Sequence, residues 1–199
     1  MDKRSHNERC KICKHTVKEL LNVLFGCVET NWDLNLPCRL EDYLKTDFAM
    51  PLKAINRALQ KYRGFEQFVR SSKLPRIDFF VPSKNLIVEF DESQHFTKAR
   101  EIALHHYPKD LQYGFSLERW IKLCQELNKR DNDPPYRDEQ RAWYDTLRDF
   151  TPKLWGKGQT IRLYSKDIVW CALNPKNKSD LEKFRQIIIK GDMNNVDRK

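Results

Sequence analysis

The strongest constraint in the chain is a pair of short β-branched and aromatic runs, Ile77–Val81 and residues 86–90, divided by the loop-forming Pro82-Ser83-Lys84-Asn85. Runs of this length and spacing predict an antiparallel hairpin. Closing it with Val81 opposite Leu86 sets Phe80 against Ile87, Phe79 against Val88, and Asp78 against Glu89. Side chains alternate along a strand, so Asp91 shares the face of Glu89 while Leu86, Val88 and Phe90 point the other way.

Three acids on one face repel one another, and directly opposed like charges destabilise a sheet. A solvated face with scattered acids is one way to tolerate them. A hard divalent cation is another, because Mg²⁺ takes carboxylate oxygens and keeps positions for water and substrate phosphate. The alignment of Asp78 with Glu89 favours the cation.

At 199 residues the chain is long enough for one ordinary core, and 37 Lys plus Arg against 28 acids leave a net charge of +9. Such a field attracts polyanions, nucleic acid foremost. The opening residues, MDKRSHNER, lack the apolar stretch of a signal peptide, and no run approaches the roughly 20 apolar residues of a membrane span, so a cytoplasmic protein is expected. Six cysteines then read as thiols or metal ligands rather than disulfides.

Thr16 and Glu19 form a T-x-x-E capping box ahead of an apolar series closed by Gly26. Residues 27–46 read as irregular, and Pro51 sits at the first turn of a helix ended by Gly64. Ser116 is positioned to cap a helix, residues 137–150 have helical apolar spacing with Arg141, Asp145 and Arg148 as a charged flank, and Thr160–Tyr164 reads as a strand. Ser179 and Glu182 make a second capping box, and residues 191–199 read as a flexible tail.

Taken together, RIDFFV at 76–81, LIVEFDESQH at 86–95, the Asp138-Glu-Gln-Arg helix and the Thr160–Tyr164 strand resemble the PD-(D/E)XK restriction-endonuclease-like superfamily. The similarity is greatest to its very-short-patch-repair-like branch, whose E-x-D-x-x-Q-H signature corresponds here to Glu89, Asp91, Gln94 and His95, with Asp78 on the preceding strand. It spans residues 64–173, about half the chain. Two positions depart from the superfamily pattern: Asp91 stands where a lysine is expected, and Glu92 replaces a common glycine.

The resemblance implies metal-dependent phosphodiester hydrolysis, with Asp78 and Glu89 holding Mg²⁺ or Mn²⁺ and Asp91 adding a further contact. His95 would act as general base or leaving-group acid, Gln94 would orient water, and Arg141 would approach from the following helix. Lys84 and Lys98 are other candidates for stabilising developing charge, whereas His105 and His106 point in different directions and stay outside the site. Each basic residue taken alone is more often a solvated or phosphate-contacting group than a catalytic one.

Cys10-x-x-Cys13 is half of a zinc knuckle, which Cys27 and Cys38 could complete, with His15 or His6 replacing one thiolate. Buried thiols are the alternative for Cys27 and Cys38, and Cys124 and Cys171 read as core.

The expected fold is α/β, a restriction-endonuclease-like central mixed β-sheet flanked by helices. Residues 1–63 would form a small cysteine-bearing helical module and 64–190 the nuclease domain, with an insertion at about 100–135. The expected function is a Mg²⁺-dependent endonuclease on double-stranded DNA, linked to defence or repair and open to homodimer pairing. The alternatives are a non-catalytic nucleic-acid-binding protein that keeps the nuclease fold and a zinc-stabilised protein-interaction module.

Overall fold

The computed structural model describes residues 10–193. In chain order the elements are α1 (Lys11–Phe25), β1 (Glu29–Trp32), α2 (Ala49–Arg63), β2 (Ile77–Val81), β3 (Leu86–Asp91), α3 (Lys98–His105), α4 (Leu117–Leu127), α5 (Arg137–Leu154), β4 (Thr160–Tyr164) and α6 (Lys178–Met193). The strands make one sheet in the order β1-β2-β3-β4, antiparallel for the first two pairings and parallel for β3 with β4. The parallel pair requires a long crossover, and α3, α4 and α5 supply it.

The hairpin register follows the pattern of the two runs: Val81 pairs with Leu86, Phe80 with Ile87, and Phe79 with Val88. β3 lies between two partners and all six of its residues are buried. Its even-numbered side chains, Leu86, Val88 and Phe90, pack with Val17, Leu20 and Leu21 of α1, Phe184 and Ile188 of α6, and Trp170. The opposite face meets the layer of α2, α3, α4 and α5, whose core includes Leu52, Ile55, Phe96, Trp120, Trp143, Leu147, Phe150 and Tyr164 of β4.

This packing corrects the expected boundary at residue 63. The first 63 residues do not form their own core, because α1 packs on one side of the sheet and α2 on the other. The segment at 100–135 is likewise part of the α2–α5 core, through Leu104, Tyr107, Tyr113, Phe115, Trp120 and Cys124.

Local starts and stops differ from the sequence pattern in four places. α1 begins at Lys11, so Thr16 lies within the helix, where its hydroxyl donates to the Ile12 carbonyl at 2.9 Å instead of capping. Residues 27–46 contain the edge strand β1, hidden in sequence because it is short and exposed along Thr30, Asn31 and Trp32. The start of α6 is capped by Asn177, whose Oδ1 accepts from the Ser179 and Asp180 amides at 2.8 and 3.2 Å, which displaces the Ser179 box. α6 also continues to Met193 where a tail was expected, and residues 194–199 lie outside the described part. Ser116 does cap α4, accepting from the Arg119 amide at 3.3 Å. Among the described residues no helix is long and apolar enough to cross a membrane.

Gly114 docks the crossover onto β4 by bridging to Ile161, and a Cβ built there would sit 2.5 Å from the Thr160 carbonyl oxygen. Backbone on both sides leaves no flexible atom to yield. We therefore expect Gly114→Ala to lower unfolding free energy by about 1–3 kcal/mol in urea denaturation. A wild-type midpoint in the variant would show that the crossover is not held there.

Candidate active site

Strand alternation directs Glu89 and Asp91 of β3 and Arg162 of β4 to the same face, since Glu89 pairs with Arg162 in the parallel register. α5 lies over that face and presents Asp145, Arg148 and Asp149, one helical turn of spacing apart. The result is a buried layer of charge between sheet and helix.

Arg162, fully buried, is its centre: it donates to Asp91 Oδ1 at 2.7 Å, to Asp149 Oδ1 at 2.7 Å, and to the Asp145 carbonyl at 3.2 Å. Asp149 Oδ2 also accepts from Arg100 at 2.6 Å and from the Tyr107 hydroxyl at 2.8 Å. The second oxygen of Asp91 accepts from the Trp120 indole at 2.8 Å. Asp91 is thus satisfied by protein groups on both oxygens, which corrects its expected place as a metal ligand.

Asp78 lies near the start of β2, one residue beyond the Phe79–Val88 pair and at the end of the hairpin away from its loop. Its Oδ2 accepts the Phe90 amide at 2.9 Å, and its Oδ1 pairs with Lys14 Nζ of α1 at 2.7 Å. Lys14 also lies over the Phe90 ring, 5.8 Å from its centroid. Burial opposes the Lys14 charge, but the Asp78 carboxylate outweighs it and raises the lysine above its usual value.

Glu89 is 4% exposed, and its Oε1 is buried with no hydrogen-bond partner, 3.4 Å from Arg148 Nε. Burial pushes its pKa up to about 7, with Arg148 pulling it down and Asp78 pushing it up. A carboxyl that holds a proton near neutrality beside an ionised partner has the electrostatics of an acid-base or cation-binding position.

His95 sits in a 3₁₀ turn (Ser93–His95) directly after β3 and donates from Nδ1 to Asp145 Oδ2 at 2.9 Å, with Asp91 Oδ1 at 3.8 Å. Burial works against its charge, yet Asp145 and Asp91 hold its pKa above the ordinary imidazole value. Asp145, which burial alone would raise, is held well below the carboxylate range by His95 and Arg162.

The other expected members fall outside this layer. Gln94 is exposed and donates to Glu92 at 3.0 Å. Arg141 is tied to Asp131 at 2.8 Å and to the Gln94 carbonyl at 3.0 Å, and Arg148, two turns further along the same stripe of α5, is the arginine that reaches Glu89. Lys84 lies in the hairpin loop, at the end away from Asp78, and Lys98 pairs with Glu101 at 2.7 Å.

The oxygens of Asp78, Glu89 and Asp91 do not gather into one three-carboxylate cluster. Among the described residues, the group of three or more potential ligand atoms all within 4.8 Å of one another is Cys10, Cys13 and Cys171, which could hold a metal ion. This corrects the expected four-cysteine set. Cys27 is exposed at the end of α1, and Cys38 is buried among Tyr43 and Trp143 with its thiol donating to the Ser71 carbonyl at 3.0 Å. Cys171, expected in the core, comes from the 3₁₀ turn Trp170–Ala172 instead. His15 is exposed, and His6 lies outside the described residues. Burial pushes the Cys13 thiol up to about 12.

Lys14, which reaches Asp78, and Cys171, which reaches Cys10 and Cys13, were invisible to spacing rules because each comes from an element distant in sequence, while helical spacing found Arg148 but not its partner Glu89. A cavity of about 780 Å³ opens elsewhere, along Leu104, Tyr113, Phe115 and Ile121, and includes none of the charged layer's acids.

The raised acidity of Glu89 has a defined pH signature. A carboxyl whose folded-state pKa lies above its ordinary 4.5 binds its proton more tightly when folded, so its share of stability falls as pH rises from about 4.5 to about 7. Glu89→Gln is expected to flatten that part of the profile and to be more stable than wild type at pH 8 but not at pH 5, by urea denaturation. An unchanged difference between the two pH values would mean that Glu89 is ionised throughout. Comparison with protein-family models, with curated proteins and with solved structures finds no match to this chain.

Proposed function

We propose that this chain is a metal-dependent endonuclease acting on DNA. The observation that carries the reading is the Asp78–Glu89 pair: two acids on adjacent strands, close enough for the Asp78 charge to act on Glu89, which is buried with an oxygen that has no hydrogen-bond partner. The mixed sheet supports the restriction-endonuclease-like expectation, since after α1, β1 and α2 the hairpin of β2 and β3 is followed by a helical crossover to the parallel strand β4, with Glu89 on the central strand β3.

The unsatisfied Glu89 oxygen suits a hard divalent cation such as Mg²⁺ or Mn²⁺, and the nearby Asp78 would add a carboxylate oxygen by exchanging Lys14 for the ion on its Oδ1. When bound, such an ion supplies Lewis acidity toward a phosphoryl oxygen and a more acidic water. Arg148 keeps Glu89 from facing the Asp78 charge uncompensated. Asp145, a carboxylate acceptor, fixes the His95 proton on Nδ1 and leaves Nε2 to exchange protons, and the partly exposed ring gives solvent access. Half-exposed Lys14 and exposed Arg76 flank Asp78 and provide positive charge at the rim for a phosphate backbone, in keeping with the net charge of +9.

A second reading, a DNA-binding protein without catalysis, is favoured by one feature: Asp91 and His95 are already occupied by Arg162 and Asp145. Supercoiled plasmid incubated with Mg²⁺ or Mn²⁺ separates the two. The endonuclease reading expects nicking or linearisation, with Glu89→Ala slower by about 100-fold or more while duplex binding changes little. Wild type that shifts duplex DNA but leaves every plasmid intact, or Glu89→Ala that cuts at the wild-type rate, overturns it.

A further inference from the structure

We propose that Cys10, Cys13 and Cys171 form a zinc site that clamps the start of α1 to the turn following β4 and thereby holds Lys14 against Asp78. Cys10 immediately precedes α1 and Cys13 lies in its first turn, a spacing that turns both thiols to one side of the helix. Cys171 meets them from the turn Trp170–Ala172, with all three sulfurs within 4.8 Å of one another.

The group holds no carboxylate and no imidazole. Three sulfurs select a soft or borderline ion over Mg²⁺ or Ca²⁺, and zinc accepts three thiolates in tetrahedral geometry with its fourth corner left to a non-cysteine ligand. The site lies on the α1 and α6 side of the sheet, where Cys13 is buried and Cys10 and Cys171 pack against the same apolar cluster. Water has little access to Cys13 there, so a bound ion would exchange slowly.

The mechanical consequence follows from adjacency. Lys14 is the next residue after Cys13, and its Nζ lies 2.7 Å from Asp78 Oδ1. No acidic residue occupies the first turn of α1 and no side chain caps it, so the helix start has little else to order it. A metal joining that first turn to the end of the β4 connection substitutes for the missing cap and fixes the lysine at the acidic pair. Neither step depends on the endonuclease reading, since the clamp would operate in a chain that never cuts DNA.

The test uses full-length protein, reduced and stripped by a chelator, then titrated with Co²⁺. One equivalent should produce the near-ultraviolet thiolate charge-transfer band and the visible bands of tetrahedral cobalt, both erased by Zn²⁺. Cys171→Ser should weaken cobalt binding by about 100-fold or more, and Cys27→Ser should leave it unchanged. Amide exchange at the start of α1 should quicken by about 10-fold or more in the stripped protein, while α5 keeps its protection. Absence of a thiolate band in reduced wild type overturns the site without recourse to any variant, as does equal binding loss in Cys27→Ser. Unchanged exchange at α1 on metal removal overturns the clamp.

Discussion

Everything between the sheet and α5 depends on the Arg162 guanidinium. It bridges β4 to β3 through Asp91 and to α5 through Asp145 and Asp149, with no solvent to share the load. Removing one partner of a buried ion pair typically costs about 3–5 kcal/mol, because the other is left charged in a poor solvent. Loss of Arg162 would take a guanidinium from three carboxylates at once, leaving Trp120, His95 and Arg100 among their remaining partners. The charged layer therefore behaves as a single unit whose members tolerate change only together.

That unit also explains how a hydrophobic strand can carry two acids. Leu86, Val88 and Phe90 bury one face of β3 in ordinary apolar packing, while Glu89 and Asp91 bury the other against arginines. The two carboxylates end in different states. Asp91 has a guanidinium and an indole donor on its oxygens, whereas Glu89 has one arginine at 3.4 Å and an oxygen without a hydrogen bond. Asp91 is held by protein donors on both oxygens, and Glu89 is the acid of the strand with an oxygen to spare.

The hairpin and its register were legible because side-chain alternation and a four-residue loop leave little freedom. The three expected pairs from Phe79–Val88 to Val81–Leu86 are those of the structure. Residues whose role depends on meeting a distant partner were not legible: Arg162 and Trp120, which claim Asp91, Lys14, which claims Asp78, and Cys171, which completes the thiol group. Helical periodicity came close on α5, where it singled out Arg141, Asp145 and Arg148 as a flank. It could not show that the flank turns inward, because a charged stripe reads as solvated until its counter-charges on the sheet are known. β1 escaped notice for a simpler reason, having only Val28 beside it buried and Asn31 in a left-handed turn conformation.

Counting the buried layer, four carboxyls, Glu89, Asp91, Asp145 and Asp149, face three guanidiniums, those of Arg100, Arg148 and Arg162. The one unmatched negative charge is met by a proton on Glu89, and His95 beside Asp145 also holds its proton more tightly than a free side chain does. The folded molecule is thus a proton acceptor relative to its own unfolded chain near neutral pH. Folding draws hydrogen ions from the buffer, so the calorimetric heat of unfolding would vary with the ionisation enthalpy of whichever buffer receives them.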